Sequence, residues 1–284
     1  MKKYDIAVIG GDKRTACMAS VFAGQGYNVI CFGTLKVSGS DTIPHAGSLK
    51  EALSKASIIV CGIPLEKDGF LSFGEDLPPI PLTELQRLLR KHHKIFGGVI
   101  SEELKSMCEK RQIGCYDFMQ EESLTISNAV ATAEGAILEA LLHKPTQLHQ
   151  SETLVLGYGR CGKVLAHKLN GLSAHVTVCS AVVQELATAA ALGFQTMPLS
   201  DLPQRIHSFE YLFNTIPATV LTEACLAKIK GDALIVDIAS NRVGVDYEAA
   251  SLLRRNVLYC PGLPGKYTGL SCAQQLAEYV LKKI

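Results

Sequence analysis

The sequence predicts an α/β protein built from two doubly wound, parallel-sheet domains. Three features carry that expectation. Short Val- and Ile-rich runs alternate with helical stretches along nearly the whole chain, the pattern of parallel sheets covered by helices on both faces. Two segments, YDIAVIGGDKRTACMASVFAGQGYNVICFG and ETLVLGYGRCGKVLAHKLNGLSAHVTVCS, echo each other as strand, glycine-rich turn, helix, glycine-containing turn and strand. A length of 284 residues leaves room for two domains, each with its own core.

In the first half, apolar runs place strands near Asp5–Ile9, Asn28–Phe32, Ser57–Cys61, Lys94–Val99 and Gly114–Tyr116. Between them, helices are expected near Lys13–Gly24, Ser48–Ser54, Thr83–Lys91 and Glu102–Arg111. Pro64 to Leu82 contains Gly69, Gly74, Pro78, Pro79 and Pro81, which reads as a flap or mobile segment rather than a simple connection. From Asn128 to Lys144 the chain is rich in Ala, Leu and Glu and is stopped by Pro145, so a long bridging helix is expected there.

Beyond it, strands are expected at Thr153–Leu156, His175–Cys179, Tyr211–Asn214, Ala233–Asp237 and Val257–Cys260. A last helix, Ser271–Lys283, carries Leu276, Val280, Leu281 and Ile284 as residues to pack back on the first domain. The expected division is a substrate or lid domain over 1–127 joined by the helix 267–284, a bridge over 128–145, and a dinucleotide-binding domain over 146–266. The two domains should face a cleft.

Composition narrows the function. With 28 Lys+Arg against 27 Asp+Glu, the chain lacks the basic footprint of a nucleic-acid binder. Charged residues interrupt every apolar stretch before the roughly 18 residues a membrane span needs, and no signal peptide is read at the start, so a cytoplasmic protein is expected. The ten cysteines contain no C-x-x-C pair; reduced, mostly buried thiols and no metal site are expected.

Gly157-Tyr158-Gly159-Arg160-Cys161-Gly162 is a G-x-G-x-x-G that follows a strand and opens a helix. In a Rossmann-like domain the first glycine makes the tight turn, the second lets a diphosphate approach the backbone, and the third lets helix and strand close. The second strand ends Val178-Cys179-Ser180-Ala181 with no acidic residue, which favours NADP, with NAD as the alternative and Ser180 as a phosphate donor. Asn214, Thr215, Ile216 and Pro217 stand just past a strand on the carboxyl edge of the sheet. They either line the nicotinamide-ribose pocket or form an ordinary strand-to-helix turn. Ala239 follows the next strand as a further cofactor contact, and Arg242 is a candidate clamp for a carboxylate.

In the first domain, Gly10-Gly11-Asp12-Lys13-Arg14 lacks a third glycine, and Asp12 repels a pyrophosphate, so no second cofactor is expected. Arg14 and Asp12 are candidates for the substrate side of the cleft, against the alternative of a solvated helix start. For proton transfer the candidates are Glu134 and Asn128 on the bridging helix, where Thr132 also faces the cleft in this reading, against the commoner alternative of a solvent-facing helix glutamate. All eight histidines precede residue 208, and His92, His93 and His143 read as structural.

Taken together, VIGGDxR at Val8–Arg14, TxEG at Thr132–Gly135, GxGRxG at Gly157–Gly162, NTIP at Asn214–Pro217, DxAS at Asp237–Ser240 and PGLPG at Pro261–Gly265 resemble the A subunit of dipicolinate synthase, in the same order along almost the full chain. The resemblance implies two Rossmann-like domains joined by crossing helices, and an NADP-linked oxidation and dehydration of hydroxylated tetrahydrodipicolinate to dipicolinate. That reaction branches from the lysine pathway during sporulation, in the mother-cell cytoplasm. It also implies a small dicarboxylate substrate, a flavoprotein-like B subunit as partner, and a homo-oligomer.

Two departures stand out: relatives tend to carry Arg where Ser180 closes the second strand, and Arg-Pro-Gly-Gly where this chain has Asn241-Arg242-Val243-Gly244. The competing expectations are a 2-hydroxyacid dehydrogenase-like enzyme, which needs a histidine that the C-terminal part lacks, and a non-catalytic dinucleotide-binding subunit.

Overall fold

A computed structural model describes residues 3–40, 42–73 and 78–284. Two compact units emerge, one formed by Met1–Ser127 with Pro264–Ile284, the other by Asn128–Leu263.

The first unit runs β1 (Ile6–Ile9), α1 (Lys13–Gly24), β2 (Val29–Phe32), α2 (Leu49–Lys55), β3 (Ile58–Cys61), β4 (Glu66–Lys67), β5 (Phe70–Leu71), α3 (Leu82–Leu88), β6 (Lys94–Gly97), α4 (Glu102–Lys110) and β7 (Gly114–Asp117). Its sheet has the order β2-β1-β3-β6-β7, parallel throughout. Side chains alternate across β1. Ala7 and Ile9 enter the core made with Leu49, Leu53, Leu85 and Leu104, whereas Ile6 and Val8 pack with Met18, Phe22, Leu276 and Val280.

Within the segment expected to be a flap or mobile segment, Glu66–Lys67 and Phe70–Leu71 form the β4–β5 hairpin, with Leu65 and Leu71 buried in the core. Leu65 and Leu71 hold this hairpin on the core; residues 74–77, with Gly74, lie outside the described residues. His93 is buried here, its Nδ1 accepting from the Arg90 amide at 2.9 Å and its Nε2 donating to Leu53 O at 3.1 Å. Burial, reinforced by His92, lowers its pKa to about 4. The folded state therefore keeps His93 neutral while the unfolded chain takes up a proton below about 6.5, so stability falls as pH drops from about 6.5 towards 4. Thermal melts between pH 6.5 and 5 should show a steeper loss for the wild type than for His93→Gln; equal slopes would refute this.

Helix α5 (Glu122–His143) begins six residues before the expected bridging helix. Leu124 packs on the first core and the Thr125 hydroxyl donates to Glu122 O at 2.9 Å, so residues with weak helix preference are drawn in by packing. The second unit continues with β8 (Glu152–Leu156), α6 (Arg160–Gly171), β9 (His175–Ser180), α7 (Val183–Ala191), β10 (Gln195–Pro198), α8 (Leu202–Arg205), β11 (Tyr211–Asn214), α9 (Glu223–Leu226), β12 (Leu234–Asp237), α10 (Tyr247–Leu252) and β13 (Asn256–Tyr259). The sheet order is β10-β9-β8-β11-β12-β13, all parallel. The sixth strand, β10, was not expected: only Met197 of its four residues is fully buried and the rest are polar or Pro.

After α11 (Leu263–Tyr267), α12 (Gly269–Lys283) packs in the first unit through Ala273, Leu276, Ala277 and Val280. Ile284, expected to join them, is 42% exposed because the helix has already ended. No described helix is long and apolar enough to cross a membrane. The ten cysteines are free thiols, and burial pushes Cys31 up to about 11 and Cys61 up to about 12, away from the reactive thiolate.

Candidate functional site

In the second unit the strand order reverses between β8 and β11, and ligands of open parallel sheets bind outside the carboxyl ends of the strands at that point. The glycine motif follows β8 and the Asn214–Pro217 turn follows β11, so the two meet there. Gly157, at φ +89°, donates its amide to Cys179 O at 2.8 Å. Thr215 donates both its amide and its hydroxyl to Leu156 O, at 3.0 and 2.8 Å.

The three glycines do different work. A Cβ on Gly157 would lie 2.5 Å from Thr215 Oγ1, and one on Gly162 would lie 2.1 Å from Gly157 O, so both are needed for close packing. A Cβ on Gly159 would meet nothing within 4 Å. Gly159 caps α6 without a side-chain hydrogen bond, and no acidic residue lies in the helix's first turn. Amide-rich backbone at a bare helix start, facing open space, fits a diphosphate.

A cavity of about 540 Å³ opens at this turn. Its walls include Gly157, Tyr158, Gly159, Arg160 and Cys161 from the motif, Thr215, Ile216 and Pro217 from the facing turn, and Ser180, Ala181, Val182 and Glu185 from the end of β9 and the start of α7. Glu185 escaped the sequence reading, which sought an acid at the strand's last residue. Its Oε2 accepts from the Tyr158 amide at 3.2 Å and from the Ser180 hydroxyl at 2.5 Å.

Three expected cofactor residues stand behind the walls. Gly162 is under the turn. Asn214 is fully buried, donating to Asp237 Oδ1 at 2.9 Å and to Ile216 O at 3.1 Å while accepting from the Ile216 amide at 3.1 Å. Ala239 is buried and donates its amide to the same Asp237 oxygen at 3.1 Å. They shape the pocket because an unpaired buried amide or carboxylate is costly.

Tyr247 donates to Asp237 Oδ2, and burial followed by that carboxylate pushes the phenol's pKa up, keeping it a donor. Arg242 is exposed and stacks on Tyr247, 4.5 Å from the ring centroid.

The proton-transfer candidates do not share a face of α5. Asn128 O accepts from the Thr132 hydroxyl at 2.7 Å, while Glu134, six residues on, lies about 120° round an ideal helix from Asn128. Glu134 is half exposed, with Oε1 accepting from Lys168 Nζ at 2.8 Å. Thr132 also bonds the Cys161 thiol, linking α5 to the glycine motif.

In the first unit, Asp12 caps α1 by accepting from the Arg14 amide at 2.9 Å. Arg14, only 5% exposed, pairs with Asp12 at 2.8 Å and donates to Ile63 O at 2.9 Å. Neither is an open substrate cradle, because each neutralises the other. The Gly11 amide donates to Ser72 O at 2.8 Å, and a Cβ on Gly10 would lie 2.2 Å from that oxygen. The chain itself therefore fills this turn. Gly265, from the PGLPG motif, closes on Asp12: its Cβ would fall 2.2 Å from Asp12 Oδ2.

Residues 5–119 match the family model described as the N-terminal domain of the dipicolinate synthase A subunit. Over 98% of its length and 94% of the relative's, the chain is 26% identical to the dipicolinate synthase A subunit of Bacillus subtilis. The crystal structure of the dipicolinate synthase A subunit from Bacillus halodurans is similar with a TM-score of 0.83 at 25% identity, covering 99% of this chain and 98% of that one. Phosphoglycerate oxidoreductase from Vibrio cholerae shares the fold, with a TM-score of 0.64 at 16% identity, over 99% of this chain and 98% of that one.

Proposed function

We propose, from the premise that the chain belongs to the family of the dipicolinate synthase A subunit, that it binds a nicotinamide dinucleotide at the Gly157–Gly162 turn and forms pyridine-2,6-dicarboxylate from hydroxylated tetrahydrodipicolinate. The observation that carries the coenzyme is the open backbone at Gly159, at the sheet's reversal point and at a helix start with no side-chain cap hydrogen bond. Dinucleotide-binding dehydrogenase folds of this kind support NAD(P) in general; NADP is the form that the family resemblance suggests.

When bound, the coenzyme supplies a hydride acceptor. The chain's residues hold and orient. Backbone at Gly159 receives the diphosphate, and Thr215, Ile216 and Pro217 wall the pocket. Arg242, held flat on Tyr247, engages a substrate carboxylate. Loss of water and of two hydrogens makes the ring aromatic, so the substrate supplies much of the driving force and the protein's task is positioning. Glu134 is assigned the ring proton.

A flavoprotein-like B subunit, assembly with further copies of this chain, and work in the mother-cell cytoplasm during sporulation follow from the same family reading. The test is an assay of the purified chain, alone and with the B subunit, on the condensation product of aspartate semialdehyde and pyruvate. The ultraviolet signature of the pyridine product is expected; turnover of a simple 2-hydroxy acid without it would overturn the reading. In the same assay Glu134→Gln should lower turnover by about a hundredfold or more. Full activity would remove Glu134 from the reaction and leave it a surface ion pair with Lys168.

A further inference from the structure

We infer that Glu185 makes this site select NAD over NADP, which rests on the dinucleotide reading above and departs from the NADP form that the family resemblance suggests. The adenosine ribose of a dinucleotide lies at the end of the second strand of such a sheet, where a carboxylate accepts from its hydroxyls and repels a 2′-phosphate. In this chain the strand ends on Ser180, and the carboxylate arrives from the first turn of α7.

Glu185 Oε2 is anchored at two points, the Tyr158 amide of the glycine turn at 3.2 Å and the Ser180 hydroxyl at 2.5 Å. Ser180 Oγ is itself fixed by accepting from the Val182 amide at 3.0 Å. The serine therefore aims the glutamate rather than receiving a phosphate. Both side chains line the same cavity as Gly157 and Gly159, in a single compact unit. Oε1 accepts from no described residue, which leaves it for a ligand hydroxyl. Among the described residues lining the cavity, Arg160 is the one basic side chain, and it belongs to the helix start that faces the diphosphate. A 2′-phosphate would thus meet an anchored negative charge with no dedicated cation beside it.

The experiment titrates NADH and NADPH into the full-length chain and follows nicotinamide fluorescence, for the wild type and for Glu185→Gln, which keeps the side chain's size. The wild type should bind NADH at least about tenfold more tightly than NADPH, and Glu185→Gln should bring the two within about threefold. Equal binding or an NADPH preference in the wild type, or an NADH preference untouched by Glu185→Gln, overturns the role of Glu185 while leaving the coenzyme site standing. Failure of both dinucleotides to bind overturns the coenzyme reading and this inference with it. Unchanged melting of Glu185→Gln separates a lost preference from a lost fold.

Discussion

Gly159→Val should weaken NADH binding by about a hundredfold or more while moving the melting temperature by only about 2–4 degrees, the cost of valine at a helix cap. A Cβ at this position meets no atom within 4 Å beyond its own chain neighbours, so the fold leaves room for a side chain. The same side chain stands where a diphosphate must come within hydrogen-bond reach of backbone amides, so valine holds a doubly charged group away from its donors. Gly162→Val is the counterpart. Its Cβ would be driven to within 2.1 Å of Gly157 O, a backbone atom that cannot swing aside, so it damages the turn as well as the site and melts earlier. Fluorescence titration and thermal melting of the two variants side by side separate the cases. Wild-type affinity in Gly159→Val would refute the diphosphate assignment outright.

The second large effect is on stability. Asp237→Ala should destabilise the second unit by about 3–5 kcal/mol in chemical denaturation. Asp237 is fully buried, and its two oxygens accept from Asn214 Nδ2, the Ala239 amide and the Tyr247 hydroxyl. Alanine would orphan three donors in a place water does not reach. Asp237→Asn, which retains one acceptor oxygen, should cost less. Because Asn214 in turn fixes the Ile216 backbone on the cavity wall, the Ala variant should also bind coenzyme poorly. A denaturation midpoint equal to wild type would show that this network contributes nothing.

The fold was legible wherever burial on both faces wrote continuous Val and Ile runs, as in Ile6–Ile9 and Leu234–Asp237. It was legible at three of the four sheet edges, β2, β7 and β13, and not at the fourth, β10. Gln195–Pro198 pairs on one side only and buries one residue completely, so nothing in its pattern distinguishes it from a loop. The hairpin at Glu66–Leu71 was hidden by turn residues whose hold on the core comes from Leu65 and Leu71.

At the site, the glycine motif was readable because Gly157 and Gly162 answer local steric demands and Gly159 leaves the backbone between them open. The carboxylate of Glu185 was not, since its arrival depends on how α7 leaves the sheet, five residues past the strand end. Asn214 and Ala239 sit in a short motif yet support the pocket from behind, a distinction that only burial and bonding partners reveal.

The two halves of this chain share an ancestral-looking plan but treat its anion slot in opposite ways. In the N-terminal half a tethered aspartate plays the guest, and a main-chain oxygen from Ser72 stoppers the bend beside it. A permanent resident cannot be outcompeted by any soluble nucleotide, since its local concentration is set by covalent connection. Restoring the absent third glycine would therefore open no dinucleotide seat in the N-terminal half.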